Sequence, residues 1–140
     1  MTTIAYKEGI LAGDTRVVDD DLIDPGEVRK VFRLKNGMLI GFAGPLGHIQ
    51  ESLRKIRKDP DGIHAITKGV NAIVVYPDGV VKVLDDGGWT ETKAKYFAIG
   101  SGKIPALVAM SCGKTAREAI KIAMDFDGNT GGKVTVVKLR

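Results

Sequence analysis

The stretch Thr2-Thr3-Ile4-Ala5-Tyr6-Lys7-Glu8-Gly9-Ile10-Leu11-Ala12-Gly13-Asp14 decides how the rest of the chain is read. Thr2 to Lys7 and Gly9 to Gly13 are short β-branched or apolar runs, and the Lys7-Glu8-Gly9 turn between them makes a hairpin. A hairpin at the start commits the chain to antiparallel pairing. The same stretch places a small hydroxyl residue behind a single Met1, so an aminopeptidase is expected to leave Thr2 as the mature N-terminus. An α-amine has a reference pKa of about 7.7–8 and can act as a base near neutral pH. A threonine hydroxyl paired with such an amine is an activated nucleophile. Many proteins begin this way without catalytic purpose, so the opening gains meaning only if the rest of the chain supplies the other parts of a site.

Working outward, hairpins recur. Arg29 to Leu34 alternates, Lys35-Asn36-Gly37 turns the chain, and Met38 to Ala43 returns as an apolar strand. Ala72 to Tyr76 and Val80 to Leu84 flank a Pro77-Asp78-Gly79 turn, and Trp89 to Thr92, Tyr96 to Ile99 and Lys133 to Leu139 read as further strands. Leu46, Ile49, Leu53 and Ile56 share one helical face through about Arg57, and Asp59-Pro60-Asp61-Gly62 ends that helix. Pro105 suits the first turn of a helix over Ile104 to Ser111. Thr115-Ala116-Arg117-Glu118 is a capping box opening a helix to about Met124, with Ala116, Ala119, Ile120 and Ala123 inward. Val17 and Val18 lead into an acidic loop, Asp19-Asp20-Asp21, ending near Asp24-Pro25-Gly26. The order implies one α+β domain over residues 1–140, with two antiparallel sheets packed together and helices outside.

The 140 residues suffice for a buried core. No apolar run approaches the roughly 18 residues of a membrane span, and no basic-then-apolar leader opens the chain, so a soluble, unexported, cytoplasmic protein is expected. One cysteine, Cys112, excludes an internal disulfide. The net charge of +4 and the cluster Arg54, Lys55, Arg57 and Lys58 read as a solvated helix face, since no aromatics are interleaved to stack on bases; no nucleic-acid partner is expected.

Familiar site motifs fail. Gly113-Lys114-Thr115 lacks the glycine of a phosphate loop, with Val108 in its place. Asp125, Asp127 and Asn129 begin like a calcium loop, but Thr130 and Val136 stand where glycine and a closing acid are needed. The aspartates around Asp19 to Asp24 lack calcium-loop spacing as well, and His48 and His64 have no ligand partners at zinc spacing. No Gly-x-Ser-x-Gly elbow is present.

What remains is a dispersed set: Thr2, Gly13-Asp14, Lys30-Val31, Phe42-Ala43-Gly44, Gly100-Ser101-Gly102, and Asp127-Gly128-Asn129-Thr130-Gly131-Gly132. At these points the sequence resembles the N-terminal-nucleophile (Ntn) threonine peptidases, the proteasome β-subunits and above all the HslV peptidase. Thr2-Thr3-Ile4, Ala12-Gly13-Asp14, Lys30-Val31-x-Arg33-Leu34, Gly41-Phe42-Ala43-Gly44 and Ala98-Ile99-Gly100-Ser101-Gly102 run in family order over almost the whole chain. The resemblance implies a four-layer αββα sandwich. It makes Thr2 the nucleophile and its amine the proton acceptor, with Lys30, held by Asp14, lowering the proton affinity of both. Gly44 would offer its N–H to the oxyanion, and Ser101, supported by Asp127 and Thr130, would relay protons beside the amine. The carbonyls of Met124, Asp127 and Thr130 correspond to a cation position in some relatives; no cofactor is required, and a structural monovalent or divalent cation is optional. Val17, Val28, Phe42 and Leu46 would line the specificity pocket, implying cleavage after apolar or neutral side chains.

One departure stands out. The family carries two long helices between the Gly44 strand and the next hairpin, whereas here only Lys58 to Val70 follows the first helix, with Pro60 and Gly62 near its start. That interval can hold a turn or a short helical piece, so the first helical layer is reduced. The implied partners are a peptide or unfolded-protein substrate, further copies in a homo-oligomeric ring and an ATP-dependent unfoldase, the ring contacts being those the shortening affects. The alternatives are a small-molecule amidohydrolase on the same fold, or a non-catalytic assembly or binding protein that retains Met1.

Overall fold

The computed structural model describes residues 2–20, 22–63, 66 and 68–140. The elements are β1 (Thr3–Lys7), β2 (Ile10–Asp14), β3 (Arg16–Asp19), β4 (Leu22–Glu27), β5 (Val31–Arg33), β6 (Leu39–Ala43), α1 (Leu46–Lys58), β7 (Asn71–Val75), β8 (Val81–Asp85), β9 (Gly88–Thr92), β10 (Tyr96–Gly100), α2 (Lys103–Ser111), α3 (Ala116–Phe126) and β11 (Val134–Lys138). They form a sheet ordered β10-β1-β2-β11, a second ordered β5-β6-β7-β8-β9, and a separate β3-β4 ribbon. Every pairing in them is antiparallel.

The period of two along each strand sorts side chains into layers. On β1, Ile4 and Tyr6 face the second sheet while Ala5 faces the helices. On β7, Ile73 and Val75 point between the sheets while Ala72 and Val74 point toward α1. Between the sheets lie Ile4, Leu11, Val31, Leu39, Ile73, Val83 and their neighbours. The outer face of the β10-β1-β2-β11 sheet is lined by the small Ala5, Ala12 and Ala98, against Ala106, Ala109, Ala119, Ile120 and Ala123 of α2 and α3. Small residues on both sides allow this close helix-to-sheet approach. On the other side, Ile40, Phe42 and Val74 pack under Ile49 and Ile56 of α1. The result is the expected αββα sandwich with two antiparallel sheets, and its first helical layer is α1.

Local signals explain the element ends. Thr115 and Glu118 form a reciprocal capping box, with Glu118 N donating to Thr115 Oγ1 at 3.1 Å and Thr115 N to Glu118 Oε1 at 3.0 Å. Lys55, Arg57 and Lys58 sit in the last turn of α1, where the helix dipole favours cations. The basic cluster lies on that helix's outer side, with Glu51 accepting from Arg54 at 3.3 Å and near Lys55 at 3.7 Å. Gly41 permits the sheets to meet, since a Cβ there would lie 2.7 Å from Ile4 Cγ2.

The acidic loop expected after Val18 is instead the β3-β4 ribbon, with Val18 opposite Ile23 and Asp19 opposite Leu22. It escapes sequence reading because β4 is exposed throughout and carries Pro25 and Gly26, so no apolar alternation marks it. Its Asp21 lies outside the described residues, as do Met1, His64, Ala65 and Thr67. The expected removal of Met1 and the reading of His64 rest on these positions and lie outside the described residues with them. In the Lys58 to Val70 interval, Gly62 N donates to Asp59 O at 2.9 Å, closing a turn, and Ile66 N donates to Ile63 O at 3.3 Å.

Candidate functional site

Antiparallel pairing gathers the dispersed residues at one end of the sandwich. Thr3 lies opposite Gly100 and Ile4 opposite Gly13, so the start of β1 meets the ends of β10 and β2. Val134 pairs with Asp14, which brings the loop before β11 to the same place. Lys30 immediately precedes β5, Gly44 immediately follows β6, and Phe42 N donates to Lys30 O at 3.0 Å.

At the centre are Thr2, Asp14 and Lys30, all buried. Lys30 Nζ donates to Thr2 Oγ1 at 2.6 Å, to Asp14 Oδ1 at 3.1 Å and to the Arg16 carbonyl at 2.5 Å. The Thr2 hydroxyl donates to Asp14 Oδ1. Asp14 is further held by the amides of Thr3 and Gly131, each at 3.1 Å, and of Arg16 at 3.3 Å. Burial pushes the Lys30 ammonium below its usual value, with the Arg16 charge adding to this, while the Asp14 charge and hydrogen bond pull it back up.

A second cluster adjoins the first. Ser101 Oγ donates to Asp127 Oδ2 at 2.5 Å and to the Thr2 carbonyl at 3.4 Å. Thr130 Oγ1 donates to Asp127 Oδ2 at 2.7 Å and is 2.7 Å from Thr3 Oγ1. Burial opposes ionisation of Asp127, but hydrogen bonds from Ser101, Thr130 and the Asn129 amide outweigh it and hold the carboxyl below its usual value. The Gly100-Ser101-Gly102 turn needs both glycines. Gly100 has φ of +98°, and a Cβ on Gly102 would lie 2.1 Å from Thr3 Oγ1.

Beside Lys30 a cleft of about 90 Å³ is lined by Arg16, Val17, Val18, Gly44, Pro45, Leu46 and Ile49. Val17 and Leu46 thus stand where a pocket is expected, and Gly44 borders the same space as Lys30. Phe42 does not line it. Strand alternation turns Phe42 toward α1, where it is fully buried with its ring centroid 6.3 Å from that of Phe32. Val28 does not line it either, being tied alongside Thr15 by a 3.0 Å amide bond. Val18, Pro45 and Ile49 take their places.

Two of the carbonyls considered for a cation have a donor beside them. The Asp127 carbonyl accepts from Thr130 N at 3.0 Å, and the Thr130 carbonyl faces Arg16 Nη1 at 3.5 Å. A guanidinium beside this loop disfavours a second cation, and no group of three or more His, Cys, Asp or Glu gathers for a metal among the described residues. The carbonyl of Met124, the third of the set, lies within α3. Arg16 and Thr3 are the participants that sequence reading passed over. Each acts through the 128–131 loop, more than a hundred residues away in the chain, and no local pattern reports that.

The proteasome subunit family model matches residues 2–61. Eukaryotic HslV from Trypanosoma brucei superposes over 98% of this chain and 98% of that chain, with TM-score 0.72 and 21% identity. BPH of Thiobacillus denitrificans, in complex with epoxomicin, superposes over 99% of this chain and 98% of that one, with TM-score 0.70 and 17% identity. No curated protein matches the sequence. The chain has the αββα sandwich fold of these structures. The family model covers 60 of the 140 residues, and these structures share the fold of the chain over nearly its whole length. Among the described residues, no helix is long and apolar enough to cross a membrane.

Proposed function

We propose that this protein is a threonine-type endopeptidase whose nucleophile is Thr2. The observation that carries the reading is the buried Lys30 ammonium, 2.6 Å from Thr2 Oγ1 and paired with Asp14. A cation at that distance stabilises the alkoxide as it forms. Cleavage of the Met1–Thr2 bond supplies the free amine that takes the hydroxyl proton. Thr2 Oγ attacks the peptide carbonyl, and the Gly44 N–H stabilises the oxyanion. The amine then hands its proton to the leaving nitrogen as the peptide bond breaks. Water attacks the resulting ester, gives its proton through the same amine to Thr2 Oγ, and releases the acid. Ser101, Asp127 and Thr130 orient the amine and carry protons. The apolar walls at Val17, Val18 and Leu46 favour aliphatic or neutral side chains before the cut bond. Peptides or unfolded chains are the substrates, in a cytoplasmic homo-oligomer that an ATP-driven unfoldase feeds only where ring contacts survive the reduced helical layer. The whole chain, as a single domain, carries the site.

Intact-mass measurement should show loss of Met1. An electrophile selective for N-terminal threonine should then label the wild type at Thr2 and leave Thr2→Ala unlabelled; epoxomicin, bound in the BPH structure, is the first choice. A retained Met1, or an unlabelled wild type, would overturn the proposal in favour of a binding protein.

A further inference from the structure

The two clusters of the site sit on segments far apart in sequence, and one side chain bridges them. Arg16 N donates to Asp14 Oδ2 at 3.3 Å and to the Gly131 carbonyl at 3.2 Å, while the Arg16 carbonyl accepts from Lys30. Its guanidinium reaches the other way, with Nη1 donating to the Gly128 carbonyl at 2.9 Å and standing 3.5 Å from the Thr130 carbonyl. Among the described residues it forms no ion pair, and its side-chain partners are backbone oxygens of the loop that carries Asp127 and Thr130. Gly131 makes room for it: a Cβ there would lie 2.2 Å from Arg16 Cζ.

We propose that Arg16 is a positioning residue, a clamp that holds the 127–131 loop against the Thr2–Asp14–Lys30 cluster and so sets Ser101 and Asp127 relative to the nucleophile. This rests on the peptidase reading for its catalytic consequence, and on the hydrogen bonds alone for the clamp. Nη1 carries two N–H groups fixed in the guanidinium plane, one directed to each carbonyl, whereas a lysine ammonium would have to reach them from a shorter stem. Its charge also adds to the burial that weakens proton binding at Lys30. The other charged groups around Arg16 are Asp14, bonded to Lys30, Asp127, beside Ser101, and Glu27, opposite Arg16 in the β3-β4 ribbon.

The test uses the full-length chain. Arg16→Ala should slow electrophile labelling of Thr2 by up to about 100-fold, the scale of a small misplacement of reacting groups. It should also move the alkaline limb of the labelling profile to higher pH, because Lys30 loses a like-charged neighbour. Added guanidinium ion should restore part of the rate in Arg16→Ala and leave the wild type unchanged, and Arg16→Lys should fall between the two. Hydrogen exchange at the Gly131 amide, bonded to Asp14, should accelerate in Arg16→Ala. Should that variant fold poorly, Gly131→Ala displaces the guanidinium while keeping its charge, and should slow labelling without the upward limb shift. If Arg16→Ala labels at the wild-type rate across pH and keeps its Gly131 protection, the clamp is wrong. An unlabelled wild type would instead remove the peptidase reading, and exchange at Gly131 would still decide the clamp.

Discussion

Asp14→Asn tests the centre of the site because it keeps shape and removes charge. Asp14 has no exposed surface, and Lys30, its ion-pair partner at 3.1 Å, is only 5% exposed in its side chain. One carboxylate oxygen accepts from Lys30, the Thr2 hydroxyl and the Thr3 amide, the other from the Gly131 and Arg16 amides. Whichever way the asparagine amide turns, its NH₂ faces at least two donors and Lys30 loses its counter-charge. Removing one partner of a buried pair costs about 3–5 kcal/mol. For a chain of this size that is roughly 10–15 °C in Tm. The sign with pH follows from Lys30. Burial already holds its pKa below the usual 10.5 while Asp14 lifts it, so removing Asp14 lowers it further. The penalty of the buried ammonium is full at low pH and fades as pH rises through the lowered pKa toward 10.5. Urea unfolding from neutral to alkaline pH should show the gap between wild type and Asp14→Asn narrowing as pH climbs. The double variant Asp14→Asn/Lys30→Met should regain much of the lost stability, having no stranded charge, yet fail to label. A cost below about 1 kcal/mol, the value of an exposed ion pair, would refute the buried-pair account, as would a gap indifferent to pH.

Two further outcomes concern the turn and loop around Thr2. Gly102→Ala places a Cβ 2.1 Å from Thr3 Oγ1 and 3.0 Å from Thr130 Oγ1, so it should cost about 1–3 kcal/mol by overpacking; an unchanged urea midpoint would show that the turn has room the geometry denies. Asp127 has a lowered pKa, so its stabilising bonds to Ser101 and Thr130 are present above its usual 3.8 and lost as pH falls through the lower folded value. The stability difference between wild type and Asp127→Asn, followed by urea unfolding, should therefore shrink in acid below 3.8, and a constant difference would contradict it.

Most elements could be read from the chain because the physics that sets them is local. Alternation from Ile4 to Tyr6 and from Ala72 to Val75, the Thr115–Glu118 capping box and the Pro77-Asp78-Gly79 turn all act within a few residues. The β3-β4 ribbon was hidden for the opposite reason: its exposed, acidic, proline-bearing strand has no buried face to leave a pattern. Phe42 shows a finer limit. Resemblance placed it in the pocket, but its face is set by which sheet side β6 presents to α1.

By itself, then, the sequence determined the antiparallel layers, since hydrophobic period, caps and turn residues are properties of short segments, whereas the residues around Thr2 were named by resemblance. Only the tertiary structure decided how those residues meet. Antiparallel pairing brings the start of β1 to the ends of β2 and β10, and burial makes Lys30 and Asp14 depend on each other. The reach of Arg16 to the carbonyls of the 128–130 loop belongs to the same class. Contacts across more than a hundred residues leave no period in the chain, so they exist only once the sheets have closed.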